Sequence, residues 1–208
     1  MAHAARARSA DPRNPPLDEA TLVARARAGD REAAGELFTR HVAATRRLVL
    51  AVVGPRAPLD DLVQEIFLGA FLALARFRGE AAFATFLHRI AVRTCIDELR
   101  RRRRSREDPG PVADTRSDRR GPDDELAAGE LLVALDRLLG GLTPKRRVAL
   151  ALFVLEGRSL REIAALVGVP VAVVKSRIFF ARRELLRQAA DDAVLGPIVR
   201  EVMTHGQR

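Results

Sequence analysis

Residues 159–185 decide how the chain is read. They run Ser159-Leu160-Arg161-Glu162-Ile163-Ala164-Ala165-Leu166-Val167-Gly168-Val169-Pro170, then Val171-Ala172-Val173-Val174-Lys175-Ser176-Arg177-Ile178-Phe179-Phe180-Ala181 and on to Leu185. Ser159 and Glu162 have capping-box spacing: the serine side chain takes the N–H three residues on and the glutamate returns the bond. Ile163, Ala164 and Leu166 then face inward, and Gly168 stands where a turn needs a left-handed residue. Pro170 opens a second helix with Val174, Ile178, Ala181 and Leu185 along one side. A small Ala164 permits close crossing of the two helices. The whole predicts a helix-turn-helix, whose second helix enters the DNA major groove. An ordinary helical hairpin is the competing reading, and it leaves the full spacing unexplained.

At 100° per residue, Val173, Ser176, Phe180, Arg183 and Arg187 lie opposite the core side of that second helix. Lys175, Arg177 and Arg182 flank them and suit phosphates. Phe180 is unusual on an outward face. Contact with thymine methyls, contact with a protein, and packing beneath the C-terminal tail all stay open for it.

Charge supports a nucleic-acid partner. The 208 residues carry 36 Lys+Arg against 27 Asp+Glu, a net +9. Residues 17–99 are neutral, whereas 100–120 carry +5 and 145–187 carry +7. Focused positive charge is a phosphate-binding footprint, because each neutralised phosphate releases counterions. Arginine outnumbers lysine 34 to two, which codon bias accounts for, but bias does not explain the focusing.

Moving outward, helical periodicity dominates and no strand alternation competes with it. The expected fold is all-α: two small helical domains joined by a flexible linker. Residues 1–16 hold Pro12, Pro15 and Pro16 and read as a disordered tail. Residues 17–104 read as one helical domain. Its helices are Asp18–Ala28, a second after Asp30 with the stripe Ala34, Phe38, His41, Thr45, Leu48, Val49 and Val52, a third over Leu59–Ala75, and a fourth over Ala82–Leu99. Residues 105–122 read as the linker, rich in proline, glycine and mixed charge. Residues 123–190 form the helix-turn-helix domain and 191–208 a tail, with a short helix around Asp191–Met203.

The third helix has a peculiar outer face. Leu62, Val63, Ile66, Phe67, Ala70 and Leu74 point inward, yet Leu68 and Leu72 share the outside with Asp61, Gln64 and Glu65. Leucines rimmed by acids suggest a partner surface.

At this point the residues resemble a family. Asp61-Leu62-Val63-Gln64-Glu65-Ile66-Phe67 resembles the core-polymerase-binding helix of bacterial sigma factors. Phe77-Arg78-Gly79 through Phe83-Ala84-Thr85-Phe86-Leu87-His88-Arg89-Ile90-Ala91 resembles the promoter-melting segment that follows it. Leu142-Thr143-Pro144, Glu156-Gly157, Glu162-Ile163-Ala164 and Val174-Lys175-Ser176-Arg177 resemble the domain that reads the minus-thirty-five element. With only these two domains, the chain resembles the extracytoplasmic-function (ECF) group of the sigma-70 family.

The resemblance implies roles. Asp61, Gln64, Glu65, Leu68 and Leu72 would meet core RNA polymerase. Phe83, Thr85, Phe86, His88, Arg89 and Arg93 would handle the minus-ten element and melting. Arg100, Arg101, Arg102, Arg103 and Arg104 would lie near duplex phosphates. Ser159, Val173, Lys175, Ser176, Arg177, Phe180, Arg182 and Arg183 would serve the helix-turn-helix on promoter DNA. Phe86 stands where the family usually has Trp, His88 where an aromatic is frequent, Arg93 where Asn is common, Val173 where Thr is usual, and Phe180 where Arg is usual. The implied activity is transcription initiation, without catalysis by the chain itself, under an anti-sigma factor that masks the polymerase surface.

Other classes fit less well. An autonomous helix-turn-helix regulator, binding DNA without polymerase, would need a sensor; a receiver domain needs strands that 17–99 do not show. A tyrosine recombinase is excluded for want of tyrosine, and the five serines all lie outside the N-terminal domain. One cysteine, Cys95, permits no internal disulfide. Four scattered histidines give no metal-ligand spacing, so neither metal nor cofactor is expected. No apolar run reaches the ~20 residues of a membrane span, and no secretory signal precedes the domain; the expected location is the cytoplasm, with no membrane insertion.

Overall fold

The computed structural model describes residues 17–77, 79, 81–107 and 134–205, and among these every regular element is an α-helix. Four helices form the first half: α1 (Glu19–Arg27), α2 (Arg31–Val53), α3 (Leu59–Leu74) and α4 (Phe83–Glu107). The second half holds α5 (helical residues 134–140), α6 (Pro144–Val154), α7 (Leu160–Val167), α8 (Val171–Gln188) and α9 (Leu195–His205). The expected tail 1–16 and the linker residues 108–122 lie outside the described residues.

Local chemistry sets the boundaries. Asp18 Oδ1 accepts from the Thr21 N–H at 2.8 Å and starts α1. Asp30 Oδ1 accepts from Glu32 and Ala33 and starts α2. These backbone bonds hold both carboxyls below their ordinary range. Gly54, at φ 90°, ends α2.

Three expectations need correcting in detail. The buried stripe in the first half of α2 is Ala33 and Leu37, one residue from the expected Ala34 and Phe38, and Phe38 is exposed. Ala33 and Leu37 are as apolar as their neighbours, so spacing alone did not fix the phase. Helix α4 continues eight residues past Leu99, to Glu107. Glu98, itself buried, pairs with Arg101 at 2.7 Å and Arg102 at 2.6 Å, while Asp97 holds Arg100, so one turn of acids supports the first turn of arginines. The C-terminal helix starts at Leu195 because Asp192 Oδ1 accepts from the Val194 and Leu195 N–H groups.

The first-half core is Leu37, Leu48, Val49, Val52, Ile66, Phe67, Leu74, Phe83, Leu87 and Cys95. Burial pushes the Cys95 thiol up to about 12, so it packs as an inert apolar group. The second-half core gathers Leu150, Leu152, Ile163, Val174, Ile178, Ala181 and Leu185.

The two halves meet where α2 and α4 pack on α6, and α4 on α7. At that junction Arg147 from α6 is only 4% exposed and Asp136 from α5 only 3%. Arg147 Nη2 donates to Asp136 Oδ1 at 2.7 Å and to the Val53 carbonyl at 2.8 Å, and its Nε donates to the Val52 carbonyl at 2.8 Å. The last turn of α2 carries no basic residue of its own. Its orphan carbonyls and negative dipole end are satisfied instead by a cation from the other half. Arg102 adds a bond to the Arg56 carbonyl at 2.8 Å. Gly54 is required there twice over: its φ is left-handed, and a Cβ would sit 2.6 Å from Asp136 Oδ1.

Candidate partner and nucleic-acid interfaces

Helix α3 presents the first surface. Its inward residues are buried, while Asp61, Gln64 and Glu65 are exposed and Leu68 and Leu72 are 58% and 73% exposed. Beside Gln64 and Leu68 runs an open groove of about 470 Å³, lined also by Phe38, Val42, Arg46, Asp60, Val63 and Phe67. Phe38 stands edge-on to Phe67 at 4.7 Å, and Arg46 pairs with Asp60 across the rim. The α2 side of this groove departs from the expectation that Phe38 faces inward.

Helix α4 presents the second. Phe83 is buried, with His41 at 5.2 Å on one side and Phe86 at 6.1 Å on the other. Phe86 packs tilted against Phe77, with ring centres 4.7 Å apart, and is half-buried. Thr85 is half-buried too, while Arg89 and Arg93 are exposed. Arg78 and Glu80 of the preceding turn lie outside the described residues. Two members of this set touch the other half: Arg89 Nε donates to the Ala165 carbonyl at 3.2 Å, and Arg158 Nη2 lies 3.4 Å from His88 Nδ1. Burial, then the Arg158 charge, holds the His88 pKa below its ordinary value. In the arginine run, Arg102 is turned into the fold by Glu98, Val53 and Arg56, whereas Arg100, Arg101, Arg103 and Arg104 are exposed.

The third surface belongs to α7 and α8, which meet at a bend of 104°, within the helix-turn-helix range. The capping box is formed, with Ser159 N–H donating to Glu162 Oε2 at 2.8 Å and Glu162 N–H donating to Ser159 Oγ at 3.3 Å. Ser159 thus serves as a cap. Gly168 adopts φ 66°, ψ 40°. Val174, Ile178, Ala181 and Leu185 are buried as expected, leaving Val173, Lys175, Ser176, Phe179, Phe180, Arg183 and Arg187 exposed. Arg177 is half-buried. Arg182 lies over the Phe153 ring at 5.2 Å, and Arg187 pairs with Glu184 at 2.7 Å. The sequence reading did not single out Phe179, nor Arg146 of α6, whose guanidinium lies 5.2 Å from the Phe180 ring centre.

Among the described residues no group of three or more His, Cys, Asp or Glu is placed to hold a metal ion, and no single helix is long and apolar enough to cross a membrane. What the geometry offers is an acid-rimmed apolar groove, an aromatic-lined helix that continues into arginines, and a cationic helix-turn-helix.

Comparison with known proteins places these surfaces in a family. Residues 37–105 match Sigma-70 region 2 and residues 132–185 match Sigma-70, region 4. Over 173 residues the chain is 35% identical to the ECF RNA polymerase sigma factor SigM of Mycobacterium tuberculosis (strain ATCC 25618 / H37Rv), spanning 81% of this chain and 83% of that one. It is likewise 35% identical over 178 residues to the ECF RNA polymerase sigma-E factor of Escherichia coli (strain K12), spanning 81% of this chain and 93% of that one. Among solved structures, CnrH in complex with the cytosolic domain of CnrY superposes with a TM-score of 0.61 at 28% identity, covering 84% of this chain and 99% of CnrH. The sigma factor RpoE of Bartonella quintana, solved with the anti-sigma factor NepR, shares the fold at a TM-score of 0.55 and 21% identity, over 76% of this chain and 97% of that one. Two matched regions in the same order, over most of the length of both relatives, show that the chain belongs to the ECF group of RNA polymerase sigma factors.

Proposed function

We propose that this chain docks on core RNA polymerase through the outer face of α3, presents α4 to the minus-ten element for melting, and sets α8 in the major groove of the minus-thirty-five element. The observation that carries this reading is the exposed Leu68 and Leu72 among Asp61, Gln64 and Glu65, on the helix that the sigma region 2 match spans. A face that is apolar at its centre and charged at its rim is built for a protein partner. Positive charge is instead collected on 100–120 and 145–187, where DNA would bind. The chain itself supplies recognition and leaves nucleotide chemistry to the polymerase, and its place of action is the cytoplasm.

An anti-sigma factor fits the same surfaces. CnrH was solved with the cytosolic domain of CnrY, and the groove between α2 and α3 offers an apolar floor of Phe38, Val42, Val63 and Phe67 for an inserted segment. In the arrangement described, α7 touches Arg89, and Arg158, just before α7, touches His88, so a single strand laid along α4 would displace Ala165 and Arg158 from them.

The test is transcription in vitro with sigma-free bacterial core polymerase on a genomic promoter library. The expected result is discrete start sites that appear only when the chain is added, sharing two elements at fixed spacing. Unchanged background transcription with folded protein contradicts the proposal. Tight specific binding to duplex DNA without polymerase favours an autonomous regulator instead.

A further inference from the structure

On α8 the exposed Lys175, Ser176, Arg183 and Arg187 suit phosphates, whereas the exposed Val171, Val173, Phe179, Phe180 and Leu186 do not, and two of these line one groove. Val173 and Phe180 are 38% and 42% exposed and help line an open groove of about 390 Å³ with Arg146, Ala172, Ser176 and Arg177. They stand seven residues apart, two turns along one face, so about 10 Å separates them along the helix axis. Phe180 is held in place from two sides. The Arg146 guanidinium lies 5.2 Å from its ring centre, and the Phe179 ring meets it nearly perpendicularly at 5.4 Å. Lys175, Arg177 and Arg183 surround the pair, so the partner of this face is an anion that also offers apolar groups.

Duplex DNA is such a partner, and the only apolar group that a base edge shows in the major groove is the C5-methyl of thymine. Building on the proposed placement of α8, we infer that Val173 and Phe180 read thymine methyls at two positions of the upstream promoter element, on the order of three base pairs apart at 3.4 Å per step. Arg177 and Ser176 lie between them in the same groove and are left for polar base edges and phosphates. Arg146 positions Phe180 by covering one face of its ring, and the 42% of Phe180 that stays exposed is left to the base.

The experiment uses the chain assembled with core polymerase and a duplex library randomised over the upstream element. Bound sequences are recovered, and thymidine is then replaced by deoxyuridine at single enriched positions, which removes one methyl and nothing else. The expected result is two thymine-selecting positions, with binding about fourfold weaker for each methyl removed. With Phe180→Ala, one of these positions becomes indifferent to the uridine exchange. With Phe180→Arg, the same position moves toward guanine, whose O6 and N7 accept a bidentate guanidinium. If an upstream element is selected but uridine binds as well as thymidine, the inference falls and the functional proposal stands. If the chain and core polymerase do not assemble, both fall. Because the methyl is removed from the DNA, the result does not depend on how well a variant folds.

Discussion

The junction between the two halves and the outer faces of α3 and α8 invert each other's chemistry. At the junction, charge is inside: Arg147 and Asp136 are buried, and the arginine donates to Asp136, Val52 and Val53. On α3 and α8, apolar groups are outside: Leu68, Leu72, Val173, Phe179 and Phe180 face solvent. Buried polar groups persist only when their bonds are made, so the junction is a structural device. Exposed apolar groups contribute nothing to folding until something covers them, which fits the recognition role proposed for these faces. On the proposed function the rim would sort the partners, with acids on α3 for a protein and bases on α8 for DNA.

If that division is right, junction variants change stability and face variants change binding. The largest expected effect is Arg147→Ala, which strands Asp136 and two helix-end carbonyls. Breaking a buried pair costs about 3–5 kcal/mol, and at this chain length that lowers Tm by on the order of 10 °C in thermal melts. Replacing the pair by Asp136→Leu with Arg147→Met sharpens the point. An ion pair alone is often replaced by apolar groups without loss, but here Val52 and Val53 still lack a donor. Recovery should therefore be partial, and full recovery would show that the α2 carbonyls do not matter.

The sequence made the helix-turn-helix legible because its determinants are local. Ser159 with Glu162, and Gly168 with Pro170, lie within a few residues of one another, and the structure forms each feature as read. The outer face of α3 was legible for a related reason, since a 3.6-residue period places Leu68 and Leu72 outside whatever α3 packs against. The junction was not legible. Arg147 meets Val52 and Val53 across 95 and 94 positions, and nothing local marks one arginine among 34. The groove beside α3 was half legible: Phe38 was assigned inward because Ala33–Ala34 and Leu37–Phe38 are adjacent apolar pairs, which leave the phase of α2 open by one residue. The role of Glu98 was hidden in the same way, because a carboxylate before an arginine run reads as surface until it is seen buried.

A smaller effect tests the place where the two chemistries meet. His88, assigned to DNA melting, faces Arg158 at 3.4 Å with the His41 charge also near, and its pKa is held below the ordinary 6.5. The unfolded chain therefore takes up the proton more readily than the folded one, and stability rises with pH across that interval. The His88–Arg158 contact is complete above about pH 6.5 and weakens as pH falls below it, because a protonated ring no longer accepts from Arg158. Urea midpoints at pH 7.5 and 5.5 should differ, and His88→Gln should reduce the difference. An unchanged difference in that variant assigns the dependence to other groups.

The central division is tested most directly by measuring two affinities on two variant pairs: labelled chain with core polymerase, and assembled holoenzyme with promoter duplex across a salt series. Asp61→Arg with Leu68→Arg should weaken core binding by about 30-fold or more, as loss of an interface hot spot does, with thermal stability unchanged. Lys175→Ala with Arg183→Ala should leave core binding intact and lower the salt slope of DNA binding by about one for each phosphate left without its cation. If the α3 variant retains full affinity for core polymerase, or if both pairs impair both affinities alike, the two faces are not separate addresses and the account is wrong.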